Sequence, residues 1–162
     1  MRDMRVGFAQ DMKDRYPDSD TYYGPETLPE GMYEPDCTFL VLYDNAQPVG
    51  CIGLRKLPKA YATNMGLSDE AAAKSAEGKS LYLEPAVRNG VGAALLMRAV
   101  VQSAIDICYE WLYGNTGANQ PESQRVLSGF GKLKSVEIPI YDPSNPLAST
   151  AYRLDLRPIV SV

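Results

Sequence analysis

Residues 81–96 read LYLEPAVRNGVGAALL, and this pattern predicts a strand, a tight turn and then a helix. The apolar run at residues 81–83 is typical of a buried strand, and Pro85 ends it because proline has no N–H group to donate to a sheet. Gly90 and Gly92 let the backbone of the turn approach a ligand closely. Since the first N–H groups of a helix have no partners within it, the turn is suited to bind an anion such as a phosphate.

Two common phosphate-binding loops are excluded at this turn. A Walker A loop places lysine and then serine or threonine directly after its last glycine, whereas Ala93 and Ala94 follow Gly92. A dinucleotide-binding loop requires glycine or alanine three residues after its second glycine, where this chain has Leu95. Arg88 adds a cationic hydrogen-bond donor. These residues alone leave two interpretations open, an anion site or a tight turn without a ligand.

The chain has 162 residues, a length that predicts one domain, which we assign to residues 1–162. It contains no histidine, which excludes Ser-His-Asp and Cys-His catalysis and argues against a zinc site, so we expect no metal. Proton transfer must then use a carboxylate, tyrosine, cysteine, lysine or water. Cys37, Cys51 and Cys108 are odd in number and widely spaced, and we expect all three to be reduced thiols in the core of a cytoplasmic protein.

Acidic and basic residues are unevenly distributed along the chain. Residues 1–45 contain four basic and ten acidic residues, and residues 46–162 contain twelve basic and ten acidic ones. This distribution argues against nucleic acid as a partner, and the lack of a long apolar run argues against a membrane span. The charged start of the sequence predicts no signal peptide. The charges suit a cationic substrate on one side and an anionic ligand on the other, although a solvated acidic loop explains them equally well.

Hydrophobic periodicity predicts a mixed α/β domain. The predicted helices cover residues 2–15, 67–76, 90–109 and 120–132, and residues 16–36 are predicted as a loop. The predicted strands cover residues 37–43, 49–57, 79–83, 111–113, 136–141 and 151–156, the first two as a hairpin. The long helix at 90–109 has an expected apolar stripe of Ala94, Met97, Val101, Ile105 and Cys108.

Residues 88–93, Arg-Asn-Gly-Val-Gly-Ala, resemble the Gln/Arg-x-x-Gly-x-Gly/Ala pyrophosphate loop of the GNAT superfamily of N-acetyltransferases. Further stretches that resemble bacterial members of this family are residues 48–55, 76–85, 116–122 and 138–141. The resemblance covers about residues 37–156. It implies an α/β fold whose central, mostly antiparallel sheet is flanked by helices and opens in a V-shaped splay, expected here near Glu84 and Pro85.

The resemblance implies acetyl-CoA as co-substrate. Its pantetheine arm is expected to pair with the main chain of Leu81, Tyr82 and Leu83, and a backbone N–H near Tyr82 and Leu83 is expected to hold the oxyanion. The pyrophosphate is expected on the loop amides with Arg88 nearby, and those amides belong to Asn89, Gly90, Val91, Gly92 and Ala93.

The implied reaction is direct attack of a primary amine on the thioester, with a carboxylate as base. Glu77 stands at the position of the family's glutamate and is the candidate base, and a surface or ion-paired glutamate is the alternative interpretation. Tyr141 is the candidate acid that protonates the leaving thiolate, with Tyr113 or solvent as alternatives.

The sequence departs from the family pattern in three ways. No strand precedes the first predicted helix, and about fifteen residues between Lys59 and Lys74 are inserted before the central strand. The tyrosine that the family often uses as general acid is replaced by Arg125 or Phe130, depending on the alignment. The missing tyrosine favours the alternative function, a CoA-binding module with little or no turnover.

The acceptor is expected to be a cationic primary amine of a small molecule or peptide, with no nucleic acid or membrane as partner. Tyr22, Tyr23 and Tyr33 lie among acidic residues, and we interpret them either as walls of an amine pocket or as part of a solvated flap. The resemblance also suggests a homodimer.

Overall fold

The computed structural model describes Gln10, Asp14 and residues 37–88, 90–117, 121–128, 134–138 and 149–157. Gln10 and Asp14 are helical, and the Gln10 side-chain amide donates a hydrogen bond of 2.7 Å to Asp14 Oδ1 one turn later. These two residues agree with the predicted helix at residues 2–15. The rest of that helix and the predicted loop at 16–36 lie outside the described residues.

The described strands form one mixed sheet with helices on its faces. The strands are β1 (Thr38–Asp44), β2 (Gln47–Lys56), β3 (Ser75–Leu83), β4 (Trp111–Gly117), β5 (Lys134–Ile138) and β6 (Ser149–Asp155). The helices are α1 (Lys59–Asn64), α2 (Asp69–Ala73), α3 (Val91–Asp106) and α4 (Pro121–Ser128), and Pro85–Val87 forms a 3₁₀ turn. The strand order is β1-β2-β3-β4-β6-β5, and only β3 and β4 are parallel. The predicted α/β fold with a mostly antiparallel sheet is therefore confirmed. None of the described helices is both long and apolar enough to cross a membrane.

The β1–β2 hairpin closes through a two-residue turn. Asn45 and Ala46 at its centre have φ angles of 46° and 67°. Positive φ at both central residues is the geometry of a type I′ turn, whose twist matches that of the paired strands. Asparagine adopts this conformation readily, whereas the Cβ of alanine strains it. The predicted hairpin is confirmed, and the turn residues explain how it closes.

The main core lies between α3 and one face of the sheet, which we call the α3 face. The buried residues of this helix are Gly92, Ala93, Leu96, Met97, Val100 and Ala104. They pack with Leu54 of β2 and Leu83 of β3. Of the predicted apolar stripe only Met97 is buried, and Ala94 is exposed. The prediction was wrong by about one position because the small residues at 92 and 93 bring that side of the helix against the sheet.

The inserted segment covers the opposite face of the sheet, which we call the α1 face. Ala62 of this segment, together with Leu57 just before it, packs with Tyr113 of β4 in a second apolar cluster. Tyr113 is 4% exposed, so the insertion shields the sheet there from solvent. Helix α1 was not predicted, because its six residues are too few to show a clear hydrophobic period.

Helix α2 lies within the predicted helix at residues 67–76 but is shorter than predicted. The Oγ atom of Ser68 accepts a hydrogen bond of 3.2 Å from the backbone N–H of Ala71, so Ser68 is the N-cap of this helix. The predicted end at residue 76 is wrong, since β3 already begins at Ser75. The Ser75 hydroxyl donates a 2.7 Å hydrogen bond to Ala71 O, which ties the end of the helix to the start of the strand.

Helix α3 ends in a Schellman motif at Cys108. The N–H groups of Cys108 and Tyr109 donate to the carbonyls of Ile105 and Ala104, both at 2.9 Å, and Cys108 has φ 67°. Cys108 is exposed, Cys37 is half-buried and Cys51 is buried. The expectation of three core thiols was therefore wrong for Cys108, because the left-handed turn carries it out of the helix and away from the core. None of the three is in a disulfide, and all three are among the described residues.

Candidate active site

Strands β3 and β4 separate partway along the sheet and leave a V-shaped opening. They pair only where Ser75–Gly78 lies beside Trp111–Gly114. Beyond that point, β3 continues against β2 alone, and β4 continues against β6 alone. The splay was expected near Glu84 and Pro85, but it begins directly after Gly78.

A bulge in β3 explains why the opening begins so early. Ser80 and Leu81 of β3 lie together opposite a single residue of β2, and Ser80 has φ 58°. Bulges of this kind bend and twist a strand, which turns β3 away from β4. Because side chains alternate between the faces of a strand, the extra residue also places Glu77, Lys79 and Tyr82 on the same α1 face.

The end of β3 presents its backbone to the opening. The Glu84 N–H donates a 2.8 Å hydrogen bond to Val49 O on β2. Backbone polar groups of successive residues in a strand point to opposite sides, so the N–H and C=O of Leu83 point away from β2 and into the opening. The predicted pairing edge at Leu81, Tyr82 and Leu83 thus borders the opening, although its contact with a ligand stays a prediction.

On the β4 side of the opening, Asn115 carries a buried polar atom that sequence reasoning missed. Asn115 is the first β4 residue past the last pair with β3. Its side-chain Oδ1 is buried and receives no hydrogen bond within the described part of the chain. A buried acceptor without a donor is costly, so this oxygen marks a place where a ligand N–H group would be stabilising. No sequence motif singled it out.

The turn that follows β3 has the predicted form of an anion site. After the 3₁₀ turn Pro85–Val87, Gly90 takes φ 87° and α3 begins at Val91. A Cβ at Gly90 would meet no atom within 4 Å, so glycine is needed there for its backbone conformation. The first-turn N–H groups of α3 then point out of the helix end, as the predicted phosphate site requires. Asn89 lies outside the described residues.

Gly92 has a packing role in addition to the expected one in the turn. It is buried, and a Cβ there would lie 3.0 Å from Leu83 Cδ2 and 3.3 Å from Val87 O. Its missing side chain therefore lets α3 pack tightly on the end of β3. Gly92 holds the turn against the strand, whereas Gly90 shapes the turn itself.

Arg88 connects the turn to the end of β3. Its Nε donates a 2.8 Å hydrogen bond to Leu83 O, and its guanidinium carbon lies 5.9 Å from the centre of the Tyr82 ring. Arg88 was predicted only as a cation beside the phosphate. The geometry gives it a second role, because it fixes the position of the turn relative to the strand edge.

Glu77 is held in a buried ion pair on the α1 face. It lies opposite Arg55 of β2, whose Nε and Nη2 donate to Glu77 Oε2 at 2.7 and 2.6 Å. Glu77 is 3% exposed. Both contacts go to one oxygen, and Oε1 receives no hydrogen bond from the described residues. Sequence reasoning missed Arg55, because only the strand register shows that it faces Glu77.

Lys79 adds a further charged group to this face. The pKa of Lys79 is lowered, first because burial disfavours the charged ammonium and second because the Arg55 guanidinium repels it. The Glu77 carboxylate acts in the opposite direction. Arg55, Glu77 and Lys79 therefore form one coupled group of charges beside the start of the opening.

The candidate proton donors, and the residues that replace the family's acid tyrosine, are only partly within the described residues. Tyr113 lies on β4 in the apolar cluster with α1, and Arg125 is exposed on α4. Tyr141 and Phe130 lie outside the described residues, so Tyr141 stays a prediction. No group of histidine, cysteine, aspartate or glutamate side chains within the described ranges is arranged to hold a metal ion.

The sequence and the fold of this chain are similar to those of known proteins. The family model described as the acetyltransferase (GNAT) family matches residues 3–131, and no curated protein matches the chain. An N-acetyltransferase from Staphylococcus aureus Mu50 is 16% identical with a TM-score of 0.66, over 96% of this chain and 94% of that one. The yncA protein of Salmonella typhimurium, solved with its cofactor acetyl-CoA, is 14% identical with a TM-score of 0.66, over 96% and 90%. An aminoglycoside 6′-acetyltransferase of type Ii is 14% identical with a TM-score of 0.62, over 94% and 89%. Since the family model spans most of the sequence, this chain belongs to the GNAT family of acetyltransferases.

Proposed function

We propose that this protein transfers the acetyl group of acetyl-CoA to a primary amine of a small molecule or peptide. The observation that carries the proposal is the opening between β3 and β4, which ends at a turn with Gly90 at φ 87° and the start of α3. The strand edge that does not pair with β4 thus leads to the candidate anion site. A long thiol cofactor with a pyrophosphate matches this order of groups, and the GNAT family uses acetyl-CoA.

The donor is held mainly by main-chain atoms in this proposal. The pantetheine arm lies along Leu81, Tyr82 and Leu83, and its amide N–H groups find an acceptor in Asn115 Oδ1. The pyrophosphate lies on the first-turn amides of α3, between Gly90 and Ala93, where the helix dipole favours negative charge. Arg88 keeps the turn and the strand edge in fixed positions, and its charge favours the pyrophosphate.

The chemical step is attack of a neutral amine on the thioester carbonyl. An alkylamine with a pKa of about 10 is mostly protonated at neutral pH, so it must first lose a proton. Glu77 is the proposed base, and Oε1 is the atom that accepts the proton directly or through water, since Arg55 occupies Oε2. The Leu83 N–H, which points into the opening, is the proposed donor to the oxyanion.

The thiolate of CoA leaves when the tetrahedral intermediate collapses. Tyr141 is the proposed proton donor to this sulfur, with solvent as the alternative. Tyr113 is less suited, because its ring is packed in the apolar cluster with Leu57 and Ala62. The acceptor class is supported by a similar fold that acetylates aminoglycosides, which are amines of small molecules. A cytoplasmic location and a homodimer stay predictions.

A second candidate function is a CoA-binding protein with little or no turnover. One observation favours it: Glu77 is closed into a buried ion pair with Arg55, whose two donors both engage Oε2 and hold the carboxylate in place. The same donor site would serve either function.

Two measurements separate these functions. Titration with acetyl-CoA tests the donor site, and release of CoA thiol with a panel of primary amines tests transfer. The transferase proposal expects binding together with amine-dependent CoA release. Binding without CoA release for any amine would favour the second candidate, and absence of binding would reject both.

A further inference from the structure

A cavity on the α1 face lies next to the proposed catalytic group. It has a volume of about 480 Å³ and is bordered by the end of β2 and by helices α1 and α2. Ligand pockets for small molecules commonly have this size. Arg55 belongs both to the wall of this cavity and to the ion pair with Glu77. The cavity is therefore in contact with the site through a single side chain.

Cationic side chains dominate the charged lining of the cavity. Arg55, Lys56 and Lys59 line it, and Asp69 is the acidic residue among the described lining residues. The Arg55 side chain is 12% exposed, and its Nη1 forms no hydrogen bond with the described residues. A guanidinium with donors still available is well suited to a ligand carboxylate, which it can hold in a fixed orientation.

The remainder of the lining is mostly apolar. Leu57, Ala62, Leu67 and Ala72 contribute hydrocarbon surface to the wall. An apolar wall with a few converging charged groups is the usual composition of a site for a small organic molecule. The cavity thus combines an anion site with room for an apolar group.

We propose that this cavity binds the carboxylate and the apolar side chain of an α-amino acid, which is the acceptor of the acetyl group. This inference rests on the proposed transferase function and names its substrate class. The amine and the carboxylate of an α-amino acid are attached to the same carbon atom. A carboxylate on Arg55, with the Lys59 ammonium of the same lining as its second cationic contact, therefore keeps the amine close to Glu77, whose Oε1 accepts its proton. Amines without a carboxylate lack this anchor.

The first test compares each amino acid with the amine that lacks its carboxylate. The pairs are leucine with isopentylamine and phenylalanine with phenethylamine, and CoA release gives kcat/KM for each. In Lys59→Ala the ratio of kcat/KM for amino acid over amine falls about tenfold, the usual effect of losing a contact between two charges. Arg98→Ala removes an exposed charge from α3 and leaves the ratio unchanged. Comparing ratios between variants cancels the different basicities of the two amines.

The second test measures binding without turnover. Cys37 lines the cavity, whereas Cys108 is exposed at the end of α3 and serves as an internal reference. Leucine is expected to slow the alkylation of Cys37 by iodoacetamide, and isopentylamine is not, while alkylation of Cys108 stays constant with both.

The outcomes separate this inference from the transferase proposal. Acetylation of amines with no preference for a carboxylate, with a ratio unchanged in Lys59→Ala, would leave the transferase intact and overturn the inference. Protection of Cys37 by leucine without acetylation of any amine would support the ligand site and reject the transferase. Alkylation of Cys37 that leucine and phenylalanine leave unchanged would overturn the inference.

Discussion

The donor half and the acceptor half of the proposed site are built by different means. The donor half consists of the β3 edge at residues 81–83 and the turn at Gly90, and backbone conformation shapes it. The acceptor half consists of Arg55, Glu77 and Lys79, and contacts between charged side chains on neighbouring strands shape it. A site formed by main-chain groups tolerates many side-chain substitutions but no change in the conformation of its turn. A cluster of charged side chains, in contrast, loses its function when any one of them is removed. The first three substitutions below each affect one half and leave the other intact, and the fourth lies outside both halves.

The largest effect is expected in the donor half from Gly90→Asp. The new carboxylate lies at the anion site and repels the pyrophosphate, so acetyl-CoA affinity falls at least about 100-fold. Calorimetric titration with acetyl-CoA measures this change. Gly90→Asn has a side chain of the same shape without the charge, and it is expected to bind more tightly than Gly90→Asp.

Gly66→Asp is the matched control for this substitution. Gly66 has φ 68°, and a Cβ there also meets nothing within 4 Å, but it lies at the end of α1. Both aspartate variants carry a side chain at positive φ, so only the position of the charge differs. A folded Gly90→Asp protein with wild-type affinity would remove the donor site from this turn.

In the acceptor half, Glu77→Gln removes the proposed base while keeping the shape of the side chain. We expect kcat to fall by about 10²–10⁴-fold, with little change in acetyl-CoA affinity. The acid limb of the pH–rate profile is expected to disappear. Glu70→Gln changes an exposed glutamate on α2 and is expected to have no effect on kcat. A wild-type pH–rate profile in Glu77→Gln would assign Glu77 a structural role.

A smaller effect in the donor half is expected from Arg88→Ala. This change removes the hydrogen bond to Leu83 O and a cation beside the phosphate site. Loss of a charge-assisted contact weakens acetyl-CoA binding by about 1–3 kcal/mol. Arg88→Lys keeps the charge but not the Nε donor, so an intermediate affinity separates the positioning role from the charge. If Arg88→Ala and the control Arg98→Ala bind acetyl-CoA equally, neither role is supported.

The smallest effect is expected outside both halves, from Cys108→Gly. Cys108 has φ 67° at the end of α3, and glycine adopts that conformation without strain. The variant is expected to raise the free energy of unfolding by about 1 kcal/mol. Urea unfolding measures it, and Gly66→Ala, at the equivalent position after α1, is expected to change stability in the opposite direction. A change in kcat or acetyl-CoA affinity in Cys108→Gly would show that the stability of the fold affects the site, because Cys108 lies outside both halves.

The strand and the turn of the donor half were predictable from sequence because their signals are local. A strand, a proline, two glycines and a helix follow one another within sixteen residues, and each residue restricts its own backbone. The Arg55–Glu77 pair was not predictable, since the partners are 22 residues apart and meet only through the register of β2 and β3. The bulge at Ser80, which shifts the register of β2 and β3 beyond that pair, has no glycine at the bulged position to signal it.

Tertiary packing determines two features of α3 that hydrophobic periodicity did not predict. The pattern of α3 predicted the stripe of Met97 and Ala94, but the helix contacts the sheet through Gly92 and Ala93 because these side chains are small. The end of the same helix was missed because a cysteine takes the left-handed position that glycine usually occupies. Such features depend on tertiary contacts and not on local preference.

Hydrogen–deuterium exchange with and without acetyl-CoA tests the central claim most directly. We expect acetyl-CoA to slow exchange at the amides of Leu83, Gly92 and Ala93, which border the opening and the turn. The amides of Asn45 and Ala46, in the β1–β2 turn, are expected to exchange at the same rate in both samples. Protection confined to other parts of the chain, or no protection at saturating acetyl-CoA, would contradict a donor site between β3 and β4.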